Sequence, residues 1–112
     1  MTSIFSQIIS GKIPSKKIYE DDHCIVIPDI KPVAPIHYLI IPKKALKMLS
    51  SATIDDKDLL GHLLLVASKV ANQLGVDKGY RIVINNGEEG GQTVFHLHLH
   101  LIAGFSQKES DM

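Results

Sequence analysis

Phe95-His96-Leu97-His98-Leu99-His100-Leu101 alternates strictly between apolar and imidazole side chains. A period of two marks an extended strand, so one face carries three imidazoles and the other carries Phe95, Leu97, Leu99 and Leu101. The apolar face has to be buried, since burying the histidines instead would leave the leucines in water. Its natural cover is the one long helix the sequence offers. Between residues 53 and 74, apolar side chains recur at Leu59, Leu60, Leu63, Val66, Ala67, Val70, Ala71 and Leu74 with a 3.6-residue period, and Gly75 follows as a stop. The imidazoles are then left facing a cleft on the opposite side.

The remaining elements follow from their punctuation. Ser3 is placed to cap a short helix whose residues Ile4, Phe5, Ile8 and Ile9 share a face, with Gly11 ending it and Ile13-Pro14 turning the chain. Residues 17–20 and 23–27 read as two strands joined by the turn Asp21-Asp22. Pro28, Pro32 and Pro35 stiffen a loop that leads into a strand over 37–41, which Pro42 ends. Two further strands, 80–84 and 94–102, flank the glycine-rich connection 85–93. Hairpins around a single long helix imply an antiparallel α+β fold. No repeat or linker divides the chain, so residues 1–112 are expected to form one domain, with a short polar tail after about residue 104.

Composition narrows the function. Among 112 residues, 12 basic and 12 acidic side chains cancel, leaving no long-range field to gather polyanions, so neither a nucleic-acid nor a membrane-surface partner is expected. Cys24 is the single cysteine, which excludes an intrachain disulfide and any zinc site of paired cysteines. No basic leader opens the sequence and no apolar run approaches the ~18 residues of a membrane span, so a reducing, cytoplasmic setting is expected.

Four readings of the imidazole face compete. A solvated strand face has no use for three histidines in strict alternation. A zinc site would take a His-x-His pair with His37 or Asp29, but three collinear imidazoles spread over ~13 Å do not converge on one ion. An anion-binding module and acid-base or nucleophilic catalysis on a phosphate ester or amide remain. Gly90-Gly91-Gln92-Thr93, where the chain enters the strand, favours phosphate in either case, because side-chain-free residues let backbone N–H groups approach its oxygens.

Gln92-Thr93-Val94-Phe95-His96-Leu97-His98-Leu99-His100-Leu101-Ile102 resembles the His-x-His-x-His-x-x signature of the histidine triad (HIT) family. Glu20-Asp21-Asp22, Asp29-Ile30, Ala34-Pro35, His37, Ile41-Pro42-Lys43-Lys44, Gly79-Tyr80-Arg81 and Asn85 are similar to its Hint branch, the nucleoside phosphoramidases, and the likeness runs from about Ile4 to Gly104. The resemblance implies a HIT-like fold, with an antiparallel sheet of about five strands, one long and one short helix, and a sheet continued across a homodimer. It implies binding of purine nucleoside monophosphates and hydrolysis of the P–N bond of AMP-type phosphoramidates. In that reading His98 is the nucleophile and is transiently nucleotidylated, His100 contacts the phosphate, His96 orients the nucleophile and assists proton movement, and His37 is the fourth imidazole. Asp29, next to Ile30, would take the ribose hydroxyls, and Phe5, Ile8, Ile13, Ile27 and Leu39 the base. Asn85, Gly91, Gln92 and Thr93 would surround the phosphate and leaving group, with Thr93 standing where relatives often carry serine. No cofactor is expected to be required; zinc binding is allowed but without a catalytic part. Cleavage of diadenosine polyphosphates, performed by another branch, and a nucleotide-responsive interaction protein with weak hydrolysis are the alternatives.

The chemistry suits the residues. An imidazole with an ordinary pKa of about 6.5 is largely neutral at cellular pH and attacks phosphorus without prior deprotonation, provided one nitrogen is bare and an acceptor such as a backbone carbonyl holds the other N–H. Elsewhere, Cys24 reads as a buried small hydrophobe. His62 reads as an interface or surface residue, His23 as a solvated strand start, and Lys43 and Lys44 as a solvated strand end.

Overall fold

The Oγ of Ser3 accepts the N–H of Ser6 at 3.1 Å, the cap that starts α1 (Ile4–Ile9) in the computed structural model, which describes residues 3–105. Gly11, at φ +84°, takes the chain out of the helix in the left-handed conformation that glycine tolerates best. Five strands follow: β1 (Tyr19–Glu20), β2 (Cys24–Pro28), β3 (Ile36–Pro42), β4 (Arg81–Val83) and β5 (Leu99–Ala103). All pairings are antiparallel, in the order β1-β2-β3-β5-β4. The long helix α2 (Lys57–Gln73) begins later than the expected span of 53–74. Its approach is a 3-10 turn, Ile54–Asp56, where Thr53 Oγ1 accepts from the N–H of Asp55 and Asp56 Oδ2 accepts from the N–H of Thr53. Together these form a capping box.

Alternation in the strands creates two layers of core. On one face Cys24, Val26, Ile40, Leu99 and Leu101, with Leu97, meet Leu63, Val66 and Val70 of α2. On the other, Ile25, Ile27, Leu39 and Ile41 meet Phe5 and Ile8 of α1. The leucines of the histidine stretch therefore pack beneath the long helix as their periodicity requires.

The strand expected over 94–102 is shorter than its pattern. Extending the β3 to β5 register, in which Ile40 faces Leu99, would set Leu97 opposite Pro42. Proline has no N–H to give a ladder, so pairing stops there. The Pro42 carbonyl accepts instead from Nε2 of His96 at 2.8 Å, and the Leu97 N–H donates to the Leu46 carbonyl at 2.7 Å. Phe95 departs from the expected buried face as well. It is 40% exposed, with the Lys47 ammonium 5.8 Å from its ring centre.

His62 is neither free on the surface nor beside the triad: its Nε2 lies 2.7 Å from Asp21 Oδ2, tying α2 to the β1–β2 turn. Burial pushes the Asp21 carboxyl up, but the N–H groups of His23 and Cys24, His62 and the Tyr19 hydroxyl outweigh it and hold the group well below the usual range. Lys43 and Lys44 are paired with Glu20 and Asp56 at 2.9 and 2.6 Å. No helix among the described residues is long and apolar enough to cross a membrane. The polar tail read from the sequence lies, from residue 106 on, outside the described residues.

Candidate active site

β3 and β5 set His37 and His100 on neighbouring strands, with His37 opposite Ile102 and Leu39 opposite His100. The rings of His37 and His100 lie 5.2 Å apart, and those of His98 and His100 5.0 Å. Beside them opens a cavity of about 640 Å³, within the usual range for a small-molecule site. Of the residues expected to bind, it is walled by Phe5, Ile8, Ile13, Ile27, Leu39, Asp29, Ile30, Asn85, Gly91, Thr93, His98 and His100. Phe5, Ile8, Ile27 and Leu39 serve twice, as core on one side and cavity wall on the other. Ile30 is 89% exposed at this wall, an apolar side chain with open space for a planar ligand to cover.

The hydrogen bonds define the proton positions by elimination. A backbone N–H only donates and a carbonyl oxygen only accepts, so each such contact fixes the nitrogen it touches. The Val33 N–H donates to Nδ1 of His37 at 3.1 Å, which leaves the His37 proton on Nε2. That Nε2 lies 2.9 Å from Nδ1 of His100 and 3.3 Å from Asp29 Oδ2. His100 Nδ1 thus accepts, and its own proton sits on Nε2. This last atom is buried and is the one buried side-chain polar atom without a partner among the described residues. A donor left in that state costs free energy until a ligand oxygen meets it.

His98 is held the other way round. Its Nδ1 lies 2.7 Å from the His96 carbonyl and therefore carries the proton, while no protein group among the described residues engages Nε2. The bare nitrogen belongs to a ring in the cavity wall, with Phe5 packed edge-on at 4.9 Å. Burial lowers the pKa of all three triad imidazoles. For His100, burial and the neighbouring His98 and His37 bring it to about 4. At neutral pH the site presents uncharged rings, one as an electron-pair donor and one as a hydrogen-bond donor.

Three expected site residues do not line the cavity. His37 stands behind His100. His96 lies under α1, 2% exposed, with both nitrogens engaged by protein. Gln92, expected beside the phosphate, is turned inward instead. Its Oε1 accepts from the Gly87 N–H at 2.8 Å, and its Nε2 donates to the carbonyls of Lys47 and Val94 at 2.9 and 3.0 Å. The amide is spent on bracing the loop whose backbone turns at Gly91, at φ +88°.

Sequence reasoning read Ser3 only as a helix cap and passed over Ser6, whereas the hydroxyls of both lie 3.2 Å from Nδ1 of His96. It also missed Ile4, Pro14, Ser15 and Lys31 in the cavity wall. Nothing in a sequence read locally signals a contact across 93 positions.

Comparison with known proteins shows the family and the fold. The family model described as HIT domain matches residues 10–107. An uncharacterised HIT-like protein of Synechocystis sp. is 57% identical over 102 residues, covering 91% of this chain and 90% of that one. Among solved structures, a HIT family hydrolase from Legionella pneumophila superposes with a TM-score of 0.91 at 40% identity, covering 94% and 95% of the two chains. A histidine triad nucleotide-binding protein from Candida albicans gives 0.81 at 36% identity, covering 89% of this chain and 73% of that one.

Proposed function

Because the chain belongs to the HIT domain family, we propose that it is a nucleotide-binding hydrolase that cleaves the P–N bond of purine nucleoside phosphoramidates through a nucleotidyl-histidine intermediate. The observation that carries the reading is the opposed state of two neighbouring imidazoles. His98 keeps Nε2 bare by giving Nδ1–H to a backbone carbonyl at 2.7 Å, while His100 turns a buried, unpartnered Nε2–H outward.

The reaction follows from that pair. The base enters between Phe5, Ile8, Ile13, Ile27 and Leu39, the ribose hydroxyls meet Asp29, and the phosphate comes to rest against His100. Nε2 of His98 attacks phosphorus as the P–N bond breaks. The ring becomes cationic, and the His96 carbonyl on Nδ1–H stabilises that charge. His100 Nε2–H and backbone N–H groups near Gly91 meet the charge on the non-bridging oxygens. Thr93 offers its hydroxyl to the departing amine, which must leave protonated. Water then attacks phosphorus as the Nε2–P bond breaks, releasing the nucleoside monophosphate, restoring the bare Nε2 and returning to the Thr93 oxygen the proton it gave to the amine.

Every group in this sequence is a side chain or backbone of the protein, so turnover in the presence of chelator is part of the proposal. A homodimer is proposed as well. Its support is β4, an edge strand with one side unpaired, together with Leu64 and Leu65 of α2, which are 51% and 72% exposed. The expected setting is the cytoplasm.

The test is mass spectrometry of protein quenched with an adenosine phosphoramidate. The expected result is an added nucleotidyl group on His98, absent together with turnover in His98→Ala. Undiminished turnover in that variant refutes the role of His98, and faster cleavage of a dinucleoside polyphosphate than of the phosphoramidate refutes the substrate class.

A further inference from the structure

His98 is the residue whose tautomer matters most, yet the sheet does not hold it. Residues 94–98 lie outside the ladder, which begins at Leu99. What holds this segment is the Gln92 amide on the Val94 carbonyl, the Leu97 N–H on the Leu46 carbonyl and the side chain of His96. Nε2 of His96 donates to the Pro42 carbonyl at 2.8 Å, so its Nδ1 is a bare acceptor in a ring 2% exposed. Left alone there, an acceptor would stay unsatisfied and the ring would be held at one nitrogen only, free to swing about that bond.

The hydroxyls of Ser3, the cap of α1, and of Ser6 within it prevent this. Ser3 and Ser6, three residues apart and so on one face of the helix, each place Oγ 3.2 Å from Nδ1 of His96 and lie 3.3 Å from one another. Phe5, from the same turn, sets its ring edge-on to both His96 and His98, at 6.2 and 4.9 Å between centres. The first turn of the chain thus grips the segment by polar and apolar contacts together.

We propose that Ser3 and Ser6 are positioning residues for the nucleophile: together the hydroxyl pair supplies the one donor that Nδ1 of His96 accepts and so fixes its peptide, whose carbonyl keeps the proton of His98 on Nδ1 and its Nε2 bare. This rests on the reading of His98 as the attacking group. Neither serine touches substrate, since neither lies in the cavity wall. Their effect reaches the reaction through two residues.

A double variant, Ser3→Gly with Ser6→Ala, separates this role from folding. Glycine replaces serine at an N-cap with little loss of helix stability, and alanine is the better helix former inside α1, so the fold should persist. The expected result is a fall in kcat of about 10- to 100-fold, the scale of a misaligned reacting group, with KM within about twofold. Ser3→Thr with Ser6→Thr keeps both hydroxyls and should restore kcat.

Nitrogen-15 spectra of the imidazoles, taken with AMP bound, give a readout free of turnover. His98 should be protonated at Nδ1 alone in the unaltered protein and as a tautomer mixture in the Gly/Ala variant. An unchanged His98 tautomer in that variant overturns the proposal, as does a loss confined to KM. Should the unaltered protein hydrolyse no phosphoramidate, the proposed function falls, while the spectra still decide the part of the serines.

Discussion

Replacing His100 with glutamine should flatten the acid side of the stability curve. The unfolded ring takes a proton near pH 6.5, whereas burial beside His98 and His37 holds the folded one down to about 4. Above 6.5 both states are neutral and the histidine adds no pH dependence. As pH falls through 6.5, the unfolded chain binds the proton first, so stability is lost progressively until the folded ring also titrates near 4. At 1.36 kcal/mol per unit the window is worth at most about 3 kcal/mol, and partial solvent access reduces that to about 2.

Urea unfolding at pH 7.5 and 4.5, at one fixed protein concentration, measures it. The unaltered protein should lose about 2 kcal/mol more than His100→Gln between the two conditions. Carboxylates held below their usual range, such as Asp21 and Asp56, also weaken the fold in acid, but they do so equally in both proteins. Parallel losses in the two would refute the placement of His100 as a neutral, enclosed donor.

Other perturbations give separate readouts. Gln92→Ala removes three hydrogen bonds from a buried amide and should destabilise the fold by about 1–3 kcal/mol in thermal or chemical unfolding, with loss of turnover following from a loosened loop. Zinc should inhibit, because ligand atoms of Asp29, His37 and His100 lie within 4.8 Å of one another and an ion there would take the His100 lone pair that accepts from His37, disturbing the ring that offers Nε2–H to the phosphate. A titration of activity against zinc, reversed by chelator, checks this, and activation instead would refute it. Cys24, buried and pushed up to about 12, should react with iodoacetamide at pH 8 only on unfolding. Rapid alkylation of the native protein would contradict its place beneath α2.

Period and punctuation made the sheet, both helices and the pairing of Leu97, Leu99 and Leu101 with α2 legible, because each is a local pattern repeated along the chain. The reach of the last strand was not legible. The rule that ends it is a property of Pro42 on another strand, visible only once the register is known. Phe5, Ile8 and Leu39, which wall the cavity, were singled out only through family likeness, since they carry no polar mark to distinguish a pocket from a core. Gln92 shows the opposite error. An amide beside glycines suits a phosphate and suits a loop brace equally, and only the acceptor carbonyls of Lys47 and Val94 separate the two.

The histidine site is assembled from distant parts of the chain. Ser3 meets His96 across 93 positions and His37 meets His100 across 63, while α1, at six residues, is too short to be stable alone. No fragment of the chain can hold the active geometry, so turnover monitors completed folding rather than local structure. On refolding from denaturant, activity should return last, after the far-ultraviolet signal of α2. Slow, non-local closure of the site would then set the pace at which the enzyme comes to life.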